Sequence, residues 1–416
     1  MLLAKLLPMV VAAGVVSAAP AGADFENLGR EVLGPRDGWA AGTTGGSAAT
    51  RDHVYFVDSR SELVAALAGN ESKIIYVRGT IEGNADDNDR PLSCADYADP
   101  GYSLQAYLTQ YDPATWGRVE PSGPLEDARA RSQANQARRV VVPVSSNTTI
   151  VGLGDDATLH GLTLRASNVD NVIIRNLRFE DAYDCFPQWD PLDGDTGNWN
   201  SEYDNLVLAG ATHVWVDRSE FSDGGNTTQP TYFGRKYEVH DGLLDVVNGA
   251  DLVTLSYNHF HDHDKSLLIG NTDRPTYDVG KLRVTLHHNL FENLGSRAPR
   301  VRYGQLHVYN NLYVIPGEYE YSWGVGVESK IYAENNFFQT RQDPSLIAKW
   351  WKGTVLHATG TLVNGRPVDV VAAHNAAFDP DLGTDVGWTP TLVPRLDRTI
   401  DVPRQVRAKA GVGRNW

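Results

Sequence analysis

VTLHHNLF, residues 284–291, and LHVYNNLY, residues 306–313, are two statements of one phrase. Apolar residues alternate with polar ones, an asparagine follows, and the phrase closes on an aromatic ring. It returns as VIIRNLRF (172–179), VWVDRSEF (214–221), VTLSYNHF (253–260) and IYAENNFF (331–338), with successive copies starting 42, 39, 31, 22 and 25 residues apart. The shortest interval sets the length of a minimal coil, and the longer ones hold loops. Two-residue alternation at such spacing predicts an all-β chain, a parallel β-helix in which each turn stacks on the last. One unit cannot bury its apolar face alone; stacking aligns Val, Ile, Leu and Phe along the axis. Asn176, Asn258, Asn289, Asn311 and Asn336 fall at or next to the bend, where asparagine hydrogen-bonds its own backbone and tolerates a left-handed conformation. They read as corner residues and not as ligands.

The flanks of a solenoid must cover its open ends. Ser61–Ala68 (SELVAALA), followed by Gly69, predicts a short capping helix at the N-terminal end. Residues 74–81 and 149–153 read as early coils. The segment from Asn84 to Arg139 between them is polar and loop-rich, with a helix over 125–139. The C-terminal part, carrying Pro367, Pro380, Pro390, Pro394 and Pro403, is expected to pack as loops, so residues 24–416 read as one domain with long loops.

Residues 1–23 have the form of a signal peptide, with Lys5, an apolar run over 6–16 and a small-residue site at Ala21-Gly22-Ala23. That run is shorter than the roughly 20 residues a membrane span needs, and nothing later approaches it. A secreted, extracellular protein without a membrane partner is the expectation. The whole chain has a net charge of −15, and loss of the leader with Lys5 makes it −16, which disfavours nucleic acid as a partner. With 41% hydrophobic residues the chain is neither disordered nor fibrous. Cys94 and Cys185, its two cysteines, permit one disulfide or two separate buried thiols.

Candidate chemistry lies between Glu202 and Arg302. Asp204, Asp241 and Asp245 supply hard oxygen ligands of the kind that suit Ca²⁺, with Gly242 permitting the bend that brings the last two together. Taken alone, Asp241-Gly-Leu-Leu-Asp245 reads more simply as a solvated turn. Lys265, Arg297, Arg300 and Arg302 form a basic group beside these acids, suited to a polyanionic ligand gripped by cations and a bridging metal. His259, His261 and His263 alternate, yet three histidines from one strand make a poor tetrahedron, so a structural or substrate-lining role is expected before zinc.

From Phe179-Glu180-Asp181-Ala182-Tyr183 through Phe186-Pro187-Gln188-Trp189-Asp190, Trp199-Asn200, Tyr203-Asp204-Asn205, Trp215-Val216-Asp217, His240-Asp241-Gly242, His261-Asp262-His263-Asp264-Lys265 and Arg297-Ala-Pro-Arg300-Val-Arg302-Tyr303-Gly304 to His307-Val308-Tyr309-Asn310-Asn311, the chain resembles the extracellular pectate lyases of polysaccharide lyase family 1. The likeness runs from about Arg51 to Gly387-Trp388-Thr389-Pro390. It implies a right-handed parallel β-helix acting as a monomer, Ca²⁺ dependence, and β-elimination on polygalacturonate to give 4,5-unsaturated oligogalacturonides. Position by position, it implies Asp204, Asp241 and Asp245 as calcium ligands, Arg297 as catalytic base, and Lys265 and Arg302 as binders of substrate carboxylates. Arginine is ordinarily a poor base because its pKa exceeds about 12, so activity rising into alkaline pH is implied as well. One departure is Arg218, where the family commonly has His, which puts a core hydrogen bond in question.

Three other readings compete. A polygalacturonase-like hydrolase needs two carboxyls flanking the bond without an arginine at its centre. A pectin lyase on methyl-esterified polymer is expected to lack the three aspartates. A noncatalytic carbohydrate-binding β-helix would bind without cleaving.

Overall fold

In a computed structural model describing residues 25–414 apart from Thr276, the repeated phrase becomes a coil that turns once per copy. The leader over 1–23 lies outside the described residues. Three long sheets of ten, ten and eight strands run the length of the molecule, and each strand pairs in parallel with its counterpart one coil away, save the antiparallel pair Leu362–Val363 and Arg366–Pro367 at one end. The phrase itself spans a corner. Asp251–Ser256 belongs to one sheet and His259–Lys265 to the next; the pattern repeats at Arg283–His287 and Leu290–Ser296. The fold is a parallel β-helix.

Register explains why the spacing works. Val214 stands over Val172, Val253 and Val284 continue the column, and all four are fully buried. Burying one such side chain stabilises the fold by about 1.5–3 kcal/mol, and the column repeats that gain at every coil. The closing aromatics stack likewise. Phe179, Phe221, Phe260, Phe291, Tyr313 and Phe338 lie ring upon ring with centroids 4.2–5.3 Å apart.

The corner asparagines divide into two kinds. Asn176 itself takes the left-handed backbone, with φ +52°. At the later coils that conformation falls one residue earlier, on Tyr257, His288, Asn310 and Asn335, with φ between +51° and +54°. The asparagine that follows turns inward and is fully buried. Asn258 N donates to Asn289 Oδ1 (2.9 Å), Asn289 N to Asn311 Oδ1 (2.9 Å) and Asn311 N to Asn336 Oδ1 (3.0 Å). The ladder satisfies backbone groups that the corner removes from the sheets.

The cap helix spans Arg60–Leu67, with Ser59 rather than Ser61 accepting from Glu62 N at its start. Leu63, Ala66 and Leu67 join the main core, but an unforeseen strand, Val54–Val57, precedes the helix and forms the edge of the first sheet. The helix expected over 125–139 runs Pro124–Val140, with proline in its first turn, Glu126 and Asp127 at its positive end and Arg138 and Arg139 at its negative end. The C-terminal part departs from the expectation of loops: Val370–Ala377 and Val402–Lys409 are helices. Val402, Val406 and Ala410 cover Leu290, Leu312 and Phe337, apolar side chains on the outside of the coil that would otherwise face water. Cys94 and Cys185 form a disulfide, with Cα atoms 5.3 Å apart.

Arg218 occupies a left-handed corner (φ +46°) and pairs with buried Asp217 at 2.5 Å, where Arg175 also reaches the same carboxylate at 2.9 Å. It therefore serves an ion-pair cluster beneath the corner.

Breaking the ladder tests its weight. Asn289→Ala leaves the Asn258 N–H without its acceptor in a dry interior, and equilibrium unfolding should show a loss of about 1–3 kcal/mol. The same change at exposed Asn70 should stay within about 0.5 kcal/mol.

Candidate active site

The loop that carries Asp204 is held from behind by the helix Pro124–Val140. Arg129 donates to the Phe186 carbonyl (2.8 Å), Gln136 to that of Tyr183 (2.7 Å), and Tyr203 OH to that of Gln133 (3.0 Å). Asp184, buried and pushed up to about 6 by desolvation, accepts from Gln133 (3.0 Å) and from the Glu202 backbone (3.1 Å), two residues before Asp204. The disulfide ties the same loop to the short helix Cys94–Tyr97.

Asp204 then meets Asp241 and Asp245. Its Oδ1 accepts from Gly242 N at 2.7 Å. Gly242 is required for space and not for a left-handed turn: a β-carbon there would stand 2.6 Å from Asp204 Oδ1 and 3.1 Å from Asp245 Oδ1. Two carboxylates thus crowd one α-carbon, and the third belongs to the neighbouring residue. Burial raises the Asp204 carboxyl well above its usual range, and the charges of Asp245 and Asp241 raise it further. Burial and Asp241 push Asp245 up to about 7, although Arg297 pulls the other way. Clustered acids at such cost, all offering oxygen, are the donor set of a hard divalent cation, and the residues fit calcium.

Lys265 ends the strand His259–Lys265 and reaches back to Asp241 Oδ1 at 2.8 Å. Burial opposes its charge, but Asp241 and Glu238 outweigh that penalty and hold the ammonium above the usual lysine range. Arg297 follows the next strand, Leu290–Ser296, in a left-handed conformation (φ +58°). Its carbonyl is fixed by Leu267 N (2.7 Å) and Ser266 Oγ (2.8 Å), which offset a strain of order 1–3 kcal/mol. Among the described residues its guanidinium has no hydrogen-bond or ion-pair partner. Lys265 and Arg297 both line a cleft of about 570 Å³, walled by Trp199 and Lys236 on one side and by Tyr321 and Trp351 on the other.

Arg302 lies apart from this pair. Its Nε binds Asp273 at 2.7 Å and its other nitrogen the Gly270 carbonyl at 2.8 Å, and it does not line the cleft. Arg300 does, stacked over Trp351 at 4.0 Å, with burial and then Arg302 lowering it to about 10. Alternation in the sequence places Arg300 and Arg302 on one outward face with buried Val301 between them, so the sign of a second cleft arginine was present. Glu238 and Asp264 also line the cleft; the sequence gives neither a role, because only the fold brings them together. Burial and then Asp264 push Glu238 up to about 7.

The alternating histidines separate. Asp262 takes a left-handed backbone (φ +51°), and His263 beyond it turns inward to bind Asp223 Oδ1 at 2.8 Å and the Asp241 carbonyl at 2.7 Å. His263 thus braces one of the three acids from beneath.

A family model described as pectate lyase matches residues 122–377. The chain is also 49% identical over 425 residues to a pectate lyase of Bacillus subtilis (strain 168), covering 98% of this chain and 99% of that one. The chain belongs to the pectate lyase family. Pectate lyase E of Dickeya chrysanthemi is 37% identical over 351 residues, covering 79% of this chain and 75% of its own. Among solved structures, a pectate lyase bound to a hexasaccharide superposes with a TM-score of 0.90 at 48% identity, covering 93% of this lyase and 99% of that chain. One from Acidovorax avenae subsp citrulli does so with a TM-score of 0.84 at 34% identity, covering 98% and 99%.

The raised carboxyls set the sign of a stability change in this lyase. Asp204 and Asp245 bind protons more tightly folded than unfolded, so without metal their contribution falls as pH rises from the unfolded carboxylate range, near 4, through about 7. Thermal unfolding in chelator should therefore show Tm dropping between about pH 5 and about pH 8. Calcium should restore it, more strongly at the higher pH, whereas a Tm that climbs over that interval in chelator would count against the raised values.

Proposed function

We propose that this pectate lyase is calcium-dependent and acts on polygalacturonate, with Asp204, Asp241 and Asp245 holding the ion, Arg297 as catalytic base and Lys265 and Arg302 binding substrate carboxylates. What carries the reading is the convergence of three crowded acids with an unpaired arginine and a lysine at the edge of one open cleft. A polyuronate presents a carboxylate on every ring, and Lys236, Lys265, Arg297 and Arg300 in the cleft offer such a polymer local cations on a chain of net charge −15.

The chemistry follows from charge. Removing the proton at C5 of a uronate leaves charge that spreads onto the adjoining carboxylate, so the barrier falls where that carboxylate is met by fixed cations. Lys265 is such a cation, anchored by Asp241. Calcium, when bound, adds positive charge at the same carboxylate. Arg297, acting as the neutral guanidine, takes the C5 proton and becomes guanidinium; the C–H electrons form the C4–C5 double bond, the C4–oxygen bond breaks, and solvent protonates the departing oxygen. To reach a neighbouring carboxylate Arg302 gives up its bonds to Asp273 and the Gly270 carbonyl, and Lys352 Nζ, on the other oxygen of Asp273 at 2.6 Å, keeps that acid paired. The leader over 1–23 and the disulfide support secretion. Among the described residues no helix is long and apolar enough to cross a membrane, and the enzyme is proposed to act as a monomer.

Ultraviolet absorbance is the direct readout, since elimination creates a conjugated double bond and hydrolysis does not. Absorbance should grow on polygalacturonate with calcium and stop with chelator. Arg297→Lys should slow turnover by about 10²-fold or more while oligogalacturonate still binds. Near-normal rates in that variant, or reducing ends without absorbance in the parent enzyme, would remove the assignment.

A further inference from the structure

On the outer face of the coil, at the far end of the strand that leads to Lys265, two histidines meet a glutamate from the coil before. Glu220 pairs in register with His259, so the two stand side by side on adjacent strands. His261 lies two residues on and faces the same way, while Phe260 between them is buried in the core. The imidazole rings of His259 and His261 stack with centroids 4.3 Å apart. A ring nitrogen from each and a carboxylate oxygen of Glu220 all fall within 4.8 Å of one another, and among the described residues no other group of histidines, cysteines and acids gathers so closely. The difficulty of three ligands from one strand disappears, because the carboxylate comes from the neighbouring coil.

The outer contacts give each ring an orientation. His259 Nε2 meets Glu292 Oε2 at 3.0 Å, and His261 Nδ1 meets Asp262 Oδ2 at 2.8 Å. A histidine that gives one ring N–H to a carboxylate presents its other nitrogen, unprotonated, to a metal; this pairing fixes ring and tautomer around bound transition metals. His259 Nδ1 and His261 Nε2 remain as donors, and His261 Nε2 already lies 3.3 Å from Glu220 Oε1, sharing a proton that an ion would replace. Arg178 binds Glu220 at the same Oε1, at 3.1 Å, leaving Oε2 free. Gly411, where the chain leaves the C-terminal helix, closes the space from above: a β-carbon there would lie 3.7 Å from Glu220 Oε2 and 4.0 Å from His259 Nδ1. The site is sheltered but open, the three side chains being 17–20% exposed.

We propose that Glu220, His259 and His261 bind one divalent transition-metal ion of the zinc class, with Glu292 and Asp262 as outer partners, independently of the acidic site at the cleft. Imidazole nitrogens prefer such a metal to calcium. The ion cross-links two coils beside the C-terminal segment and stabilises the folded enzyme by binding it alone.

Zinc titration of the tag-free, chelator-stripped enzyme in saturating calcium tests this, read by calorimetry and by Tm. One zinc per chain and a raised Tm are expected. His261→Gln and Glu220→Gln should each weaken binding at least about tenfold, and Asp262→Asn by about 10–100-fold, with calcium-dependent turnover retained. Zinc-soaked crystals of the unaltered enzyme give an answer that does not depend on how the variants fold: an anomalous peak should lie about 2.0–2.2 Å from the three donors. Absence of stoichiometric zinc, affinity unchanged in both ligand variants, or a peak among the aspartates would overturn the proposal.

Discussion

Parallel register between successive coils is the constraint on which the rest depends. Strands one coil apart lie about 4.8 Å from each other, so each side chain is placed by its counterpart in the neighbouring coil and not by its sequence neighbours. Val172, Val214, Val253 and Val284 share one inward column because each strand begins in step with the last. Outside, the same rule sets Asp245 opposite Leu268 and Leu268 opposite Arg300, so an acid and an arginine separated by 55 positions stand only two strands apart. A one-residue slip would turn every inward valine outward and scatter the cleft, which is why the asparagine ladder and the ring stack matter beyond their own energies.

The cleft is where the fold tolerates electrostatic cost. Two of its acids are pushed toward protonation, and Lys265 compensates Asp241 without neutralising the group. A site shaped only for stability would have paired or removed these charges. What supports them lies one layer back: Asp184 and the long helix behind the Asp204 loop, His263 beneath Asp241, and Gly242 where a larger residue cannot fit. The same separation of ligand from support recurs at Glu220, His259 and His261, where Glu292 and Asp262 orient the rings.

Much of this was legible in the sequence because the relevant signals are local. The alternating phrase gave the coils, and the helix read over 125–139 is there with one more residue at each end. The departures concern contacts that no short window contains. Asn258, Asn289, Asn311 and Asn336 read as corner residues, yet their neighbours take the strained backbone and the asparagines bond across coils. The helix Val402–Lys409 was hidden among prolines, and its purpose becomes visible only against the outward Leu290, Leu312 and Phe337 that it covers. Arg302 was singled out by its place in a motif, whereas its ion pair with Asp273 and the position of Arg300 over Trp351 depend on residues distant in sequence. His259 and His261 looked unpromising for a metal while the missing ligand lay in another coil.

The most direct test of the central claim is a crystal structure of Arg297→Lys with calcium and an oligogalacturonate bound. The ion should sit among Asp204, Asp241 and Asp245 and touch a sugar carboxylate that Lys265 also reaches, with the shortened side chain at 297 facing the C5 hydrogen. A ring bound elsewhere, or residue 297 turned away from it, would contradict the account.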